Sequence, residues 1–408
     1  MAYAGARLTA ACFRAIGIDA TVAPDSNEDT LELGGLFSSG EECLPHKVTL
    51  GDFLRVCREP GFDPKKTAFF MPRAQGPCRF GQYAPYLKQV LTEQGYGDVL
   101  VVSPSSADGY DGIGDHAGEL IRTVWMGIVA GDVVTRFLHK TRPYETHEGD
   151  SEGAFHETIA AFSRVLEEPG VPIKQRLTRL ASEVTRMRDR FRAIPARYVK
   201  GRPLIGIVGE IFCRQNTYSN EDTIRQIEKL GGECWLSDIA EWIWYTNWSR
   251  EADQLRRHNR LHPKLLAYKI KSHVQRQYEH TLLAPVHDDL KGYEEPDDIR
   301  VVLDASEPYL PATGALGEMT LSVGKAIYLY RKGADGIIDI SPFTCMNGIA
   351  SEAVYPAISD EHDNLPIRSL YFDKVGVQVE RDLEIFLDLA RAYQRRKRQP
   401  RIYPDIFE

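Results

Sequence analysis

Seven cysteines are spread along the 408-residue chain, and three of them stand where a thiol can do chemistry. Cys43 lies in "SSGEECLPHK", Cys78 in "GPCRFGQY" and Cys345 in "SPFTCMNG". Each is flanked by Gly, Pro or small polar residues, which expose backbone N–H groups and let the chain pass close to a bound group. Cys78 and Cys345 follow the short apolar runs "TAFFMP" and "GIIDISPF". Open α/β sheets take their ligands just beyond such strand ends. Cys12 and Cys57 fall in helical patterns and Cys234 opens an apolar strand, so core packing is expected for all three. Cys213, in "GEIFCRQNTYSN", also follows a strand and stays open between core and ligand.

Three loop thiolates without a paired CxxC describe a site with three protein ligands and an open fourth position. Zinc uses such sites for catalysis, and Cys43 with His46 of "CLPH" would supply two ligands. Iron–sulfur clusters are held by thiolates too, and three would leave one iron open. The third reading is plain burial, since an unpaired cysteine packs like a small hydrophobe. Spacing alone leaves all three open.

These residues need a scaffold, and the apolar runs outline one. Residues 3–17 read as a helix running into "GIDATVAP", a short strand, followed by strands at 67–72 and 98–105 with helices between. No strand stands ahead of the first helix, so a first strand is expected either to have been lost or to come from a separate upstream segment. From 115 to 193 the pattern is helical, with "IKQRLTRLASEVTRMRDRFRAI" spaced as a surface helix. A second unit starts at "PLIGIVGEI", continues through "ECWLSD", and resumes after an aromatic, basic excursion with strands "IRVVLDA", "GIIDISPF" and "IRSLYFD". Short strands alternating with helices predict an α/β protein with two Rossmann- or flavodoxin-like parallel-sheet domains and helical insertions. The expected division is an N-terminal α/β domain at 1–114 carrying Cys43 and Cys78, and a helical segment at 115–200. A C-terminal α/β domain at 201–408 carries Cys345 and an insertion at 239–294.

Composition narrows the classes. A hydrophobic content of 43% and a charged content of 26% are those of a globular protein. The net charge of −8 gives no global electrostatic reason to bind nucleic acid, and "RRKR" at 395–398 reads as the solvated end of a helix. No membrane span is expected: the best run, "VWMGIVAGDVV", is short and carries Asp132. The N-terminus reads as an amphipathic helix instead of a signal peptide, which points to the cytoplasm and to cysteines that are free, catalytic or metal-bound.

Taken together, "SSGEECLPHKVTLGDFL", "GPCRFGQY", "VGEIFCRQNTYSN" and "SPFTCMNG" resemble the 2-hydroxyacyl-CoA dehydratase / benzoyl-CoA reductase superfamily. The nearest likeness is to the dehydratase-like C-terminal part of the large activase-related proteins, and it runs from about residue 10 to about residue 395. The resemblance implies an oxygen-sensitive [4Fe–4S] cluster on Cys43, Cys78 and Cys345. It implies that an ATP-driven activase supplies one low-potential electron, which reaches the thioester carbonyl of an acyl-CoA and lets the 2-hydroxyl leave. Some members hold a double-cubane cluster on six cysteines and reduce small molecules; a non-enzymatic electron-transfer or scaffold subunit is a further alternative. Neither "GIVGE" nor "GYDGIGD" matches a phosphate-binding loop, so ATP is expected only through a separate activase protein. A second dehydratase-like subunit or a homodimer is expected with it.

Around the cysteines, Gly76, Pro77 and Gly81 shape the Cys78 loop, and Arg79 would offset the added negative charge of a reduced cluster. Arg214 and Asn216 would orient a carbonyl. Glu307 in "DASEPYLP", read as following a strand, is the candidate for proton transfer. Plainer roles stand beside these: an ion pair for Arg79, a helix cap for Asn220, a local pairing for Glu210, a solvated loop for Glu307, a helix-start hydrogen bond for His46, and helix packing for "EWIWYTNW".

Overall fold

The computed structural model describes residues 2–73, 76–104, 116–257, 262–313, 317–374 and 379–408. The boundary expected near 114 and the "GYDGIGD" run fall outside these residues. The chain is α/β, with helices in the majority and two parallel sheets.

The N-terminal part contains α1 (Tyr3–Ala15), α2 (Glu28–Leu36), α3 (Leu44–Cys57), β1 (Ala68–Phe70), α4 (Tyr83–Glu93) and β2 (Leu100–Val102). β1 and β2 pair in parallel, Phe69 opposite Val101, and form a two-stranded sheet. "GIDATVAP" is not a strand. Its apolar residues lack the continuous run a buried strand needs, and Arg14 holds the segment as a loop by donating to the Ala20 carbonyl at 2.8 Å. α2 starts with a capping box, Asn27 and Thr30 each satisfying the other's backbone N–H. It crosses α3 at two glycines. A Cβ on Gly34 would lie 1.9 Å from the Lys47 carbonyl, and one on Gly51 would lie 1.8 Å from the Thr30 carbonyl. Only hydrogen at these positions lets the two backbones meet, and the contact fixes the direction in which the start of α3 points.

A helical layer follows: α5 (Ala117–Thr141), α6 (Asp150–Glu167) and α7 (Ile173–Arg192). α7 buries Leu180, Val184, Met187 and Phe191, a three-to-four-residue spacing that puts one apolar face against α5 and α6. Each such side chain contributes about 1.5–3 kcal/mol by burial. α1 packs into the same core through Leu8 and Cys12. Among the described residues no helix is long and apolar enough to cross a membrane.

The second sheet is built from β3 (Leu204–Gly209), β4 (Glu233–Leu236), β5 (Gly336–Pro342) and β6 (Ile367–Phe372), all parallel, in the order β4–β3–β5–β6. Between β3 and β4 lie α8 (Ile211–Gln215) and α9 (Thr223–Lys229). Between β4 and β5 lie α10 (Ile239–Arg257), α11 (Pro263–Leu283), α12 (Arg300–Ser306) and α13 (Glu318–Arg331). α14 (Met346–Glu361) links β5 to β6, and α15 (Val379–Gln394) follows. Along β3, Ile205 and Ile207 face a core shared with α3, α9 and α15, while Leu204 and Val208 face one shared with α13 and α14. That two-residue alternation with both faces covered explains the unbroken apolar runs.

"IRVVLDA", expected as a strand, is helix α12. Its buried Val302, Leu303 and Ser306 recur at helical spacing, and Asp298 accepts the Arg300 N–H at 2.9 Å, as a helix start requires. A run this short does not separate the two periods. Glu307 therefore follows a helix, not a strand. The aromatics of "EWIWYTNW" lie on α10 and pack, with Tyr245 buried against α12 and α13 and Trp244 edge-on to Trp125 at 5.2 Å.

Candidate functional site

Strand order in the larger sheet reverses between β3 and β5, which opens a crevice at their carboxyl ends. Gly209, at φ +112°, ends β3; a Cβ there would lie 2.2 Å from the Ile340 carbonyl of β5. The chain then turns into α8, and from β5 it turns through Thr344 into α14. Cys345 is the residue that heads α14, Cys43 heads α3, and Cys78 heads the 3-10 turn Arg79–Gln82 that leads into α4. Each thiol stands where a helix or turn begins and its first backbone N–H groups have no partner within that element.

The two parts of the molecule meet across this crevice. Arg79, beside Cys78, donates to the Thr344 hydroxyl, beside Cys345, at 2.9 Å. Cys43 packs on Met71, Tyr83 and Ala84, with its Sγ 2.8 Å from the Tyr83 hydroxyl. Cys43 and Cys78 lie within electrostatic reach of one another, and fully buried Cys213 on α8 lies within reach of Cys43 and Cys345. Cys78 is exposed, while Cys43 and Cys345 are half-buried. Cys12, Cys57 and Cys234 are buried in packing cores elsewhere.

Two buried carboxyls stand among these thiols. Glu210 caps α8, accepting the N–H groups of Phe212 at 3.0 Å and Cys213 at 2.7 Å. Glu318, at the start of α13, accepts the Ile211 N–H at 2.8 Å and faces the Asn347 side-chain nitrogen at 3.3 Å. Burial, and then the neighbouring Glu210 charge, push the Glu318 carboxyl up to about 8. Two adjacent buried carboxyls do not both ionise. Burial raises Glu210 too, against the Phe212 and Cys213 N–H groups that pull it down, so Glu318, held up to about 8, is the one of the pair that keeps a proton at neutral pH. The Asn347 Oδ1 is buried without a partner. Turning that amide end for end brings Oδ1 to Glu318, whose protonated carboxyl then donates to it.

The thiols share this acidic surrounding. Burial, together with Glu210 and Glu318, holds Cys345 up to about 12. Cys78 and Cys213 are raised chiefly by burial, and Cys43 is raised by burial against the opposing Tyr83 hydrogen bond. Four thiols and two carboxyls thus share this region, with Arg79 near Cys43, Lys374 near Cys213 and Arg214 near the carboxyls as the cations in reach among the described residues. Thiols held neutral beside carboxyls are suited to a positively charged inorganic core, which would convert thiols to thiolates. Soft sulfur donors fit iron–sulfur or zinc chemistry. Among the described residues no three His, Cys, Asp or Glu side chains stand close enough together to hold a metal ion as they are placed.

The remaining candidates fall at varied distances from this centre. Gly76 has φ +108°, a conformation glycine adopts freely, and with exposed Pro77 it bends the chain into Cys78. Gly81 donates to the Cys78 carbonyl at 3.1 Å, closing the turn. Arg214 is buried and spends its terminal nitrogens on the Gly209 carbonyl at 2.8 Å and the Asp238 carbonyl at 3.4 Å, tying the ends of β3 and β4. Asn216 ends α8 and accepts the Ser219 N–H at 2.8 Å. Asn220 reaches back to the Cys213 and Arg214 carbonyls, so it closes α8 instead of opening α9. His46 is buried against the rings of Tyr83 and Tyr86, 4.8 and 4.9 Å away, and burial lowers its pKa. Glu307 is exposed and accepts the Ala312 N–H at 2.8 Å.

Sequence reasoning missed Glu318, Tyr83 and Asn347. "GEMT" carries an acid at a helix start, which reads as a partner of the helix dipole. Nothing local marks that acid as buried beside thiols. It also missed a rim of exposed apolar side chains around Cys345: Phe343, Met346 and Ile349, which are 57%, 41% and 55% exposed. No protein-family model and no curated protein matches the chain.

Proposed function

We propose that this chain is the iron–sulfur component of an ATP-activase-dependent radical 2-hydroxyacyl-CoA dehydratase or a related low-potential reductase, with Cys43, Cys78 and Cys345 holding a [4Fe–4S] cluster. The observation that carries this reading is that three helix- or turn-heading cysteines from distant parts of the chain face one crevice, with Cys78 in electrostatic reach of Cys43 and Arg79 bonded to Thr344 beside Cys345. The bound cluster would supply one-electron chemistry at low potential. The protein's own groups hold a proton at Glu318, neutralise charge at Arg79, and offer backbone N–H groups to the sulfurs. Phe343, Met346 and Ile349 give an acyl chain an apolar surface beside Cys345.

The two parallel sheets are read as two Rossmann- or flavodoxin-like halves facing across the cluster, in a cytoplasmic protein. A separate activase hydrolyses ATP, and a second dehydratase-like subunit or a homodimer completes the enzyme. Only four cysteines gather at the crevice, which favours a single cubane over a double cubane needing six. The exposed apolar rim favours one second reading, in which the chain hands the electron to a docked partner without turning over acyl-CoA.

Anaerobic purification with iron and acid-labile sulfide analysis tests the cluster. The expected result is about four irons per chain, lost in Cys78→Ala and Cys345→Ala variants that keep the wild-type urea midpoint. A folded, iron-free wild-type protein rejects both readings. Turnover of acyl-CoA with an added activase then separates enzyme from carrier.

A further inference from the structure

A second candidate site lies away from the cysteines, between α1 and α6. Tyr3 packs on His156 with ring centroids 4.8 Å apart, and Arg14 bonds Glu167 at 2.6 Å. Arg14 lies as far beyond Tyr3 on α1 as Glu167 lies beyond His156 on α6, so the two helices run parallel. Midway, small Ala10 and Ala160 line the facing surfaces, and where larger side chains would interdigitate a groove of about 280 Å³ remains. The 18–24 segment contributes Val22 to its wall.

Of the polar groups lining this groove, one is spent and four are not. Arg14 is consumed by Glu167 and by the Ala20 carbonyl. Arg7 is not: among the described residues it meets no acceptor and lies over the Tyr3 ring, 3.4 Å from its centroid. The Tyr3 hydroxyl, the His156 ring nitrogens and the Ser163 hydroxyl also bond no other described residue. Ser163 differs here from Thr178 and Ser182 on α7, whose hydroxyls donate to the carbonyl four residues earlier at 3.1 and 3.0 Å. Glu157, next to His156 in sequence, pairs with Arg190 at 3.2 Å, and Glu152, one turn earlier, pairs with Arg142 at 3.1 Å. Arg7 thus brings one uncompensated positive charge, beside three uncommitted polar groups, to an apolar floor.

We propose that this groove binds a small organic anion, with a carboxylate or phosphate-ester head on Arg7 and an apolar body against Ala10, Val22 and Ile159. A guanidinium fork donates two N–H groups to either head in a two-point contact. The volume lies just below the roughly 300–1,000 Å³ of ordinary small-molecule sites. A body of about six to eight carbons is therefore the size it takes. The site is independent of the cysteine crevice and of the function assigned to it.

Calorimetric titration of the full chain with hexanoate and with phenyl phosphate tests this, with acetate and inorganic phosphate as heads without bodies. One of the two long probes is expected to bind with a Kd of about 0.1–1 mM, and which one decides the head. Arg7→Ala should weaken it at least about tenfold, the scale of one lost charge-assisted contact, with no change in urea midpoint. Ala160→Leu, on an exposed position, should fill the groove and weaken binding as much. Absence of binding by either long probe at about 10 mM overturns the proposal. So does equal binding of the short heads, or binding that survives both substitutions.

Discussion

The two sheets are made from the same kind of parallel unit, yet they present their cysteines differently. Every residue of β3 and β5 is buried, with helices on both faces, whereas β1 and β2 are three residues long and each exposes part of its length. From the larger sheet come Glu210, Cys213 and Cys345, held by caps and strand ends with few alternatives. From the smaller part come Cys78 on an exposed turn and Cys43 at the head of α3. Leu44 and Val48 of α3 pack into the core of the larger sheet, so Cys43 is anchored from the far side of the crevice. One wall of the crevice is therefore a folded core, and the other is a turn joined to it through Arg79 and Thr344. A site built this way can admit an inorganic core or a partner on its thin wall while the thick wall keeps its carboxyls fixed.

That contrast can be broken at the anchor. Gly51→Ala forces a methyl into the Thr30 carbonyl and drives α2 off α3. We expect a loss of about 3 kcal/mol, read as a lower urea midpoint at unchanged slope, and faster alkylation of Cys43. An unchanged midpoint would mean that α3 is not held as described.

The thick wall is tested by pH. The Glu318 carboxyl is held at about 8 against an ordinary 4.5, so the folded protein keeps a proton that the unfolded chain releases. Its stabilising contribution is complete below 4.5 and is lost as pH rises through about 8. Glu318→Gln cannot titrate, and its amide can donate to the orphaned Asn347 Oδ1. The wild type should lose on the order of 2–4 kcal/mol relative to the variant across that window, measured as urea midpoints at each pH. Parallel profiles would place the proton elsewhere.

The thin wall should matter least to stability. Arg79→Ala removes one exposed hydrogen bond to Thr344, so the urea midpoint should move by no more than about 0.5 kcal/mol. Alkylation of Cys78 should speed up about twofold, the rate change that about 0.4 kcal/mol gives. A large loss of stability would show that the turn is part of the core.

The buried strands were legible because both faces of the larger sheet are covered, which leaves unbroken apolar runs such as "LIGIV" and "GIIDI". "IRVVLDA" has the same composition but lies on one helical face, and a seven-residue run does not distinguish the two. The loop cysteines were legible through their Gly and Pro neighbours. That each opens a helix or a turn was legible only for Cys43, where Pro45 follows at a first-turn position. Glu307 drew attention through its assumed strand, and Glu318 drew none, because burial depends on residues far away in the chain.

By itself, the sequence determined which side chains are available and which stretches must hide an apolar face, since composition and period are local properties. Only the tertiary structure decided that Cys43, Cys78, Cys213 and Cys345 share one crevice while Cys12, Cys57 and Cys234 do not. It also decided that Glu318 carries a proton there. Both depend on desolvation and on charges brought together from distant segments, and no window of the chain contains that information.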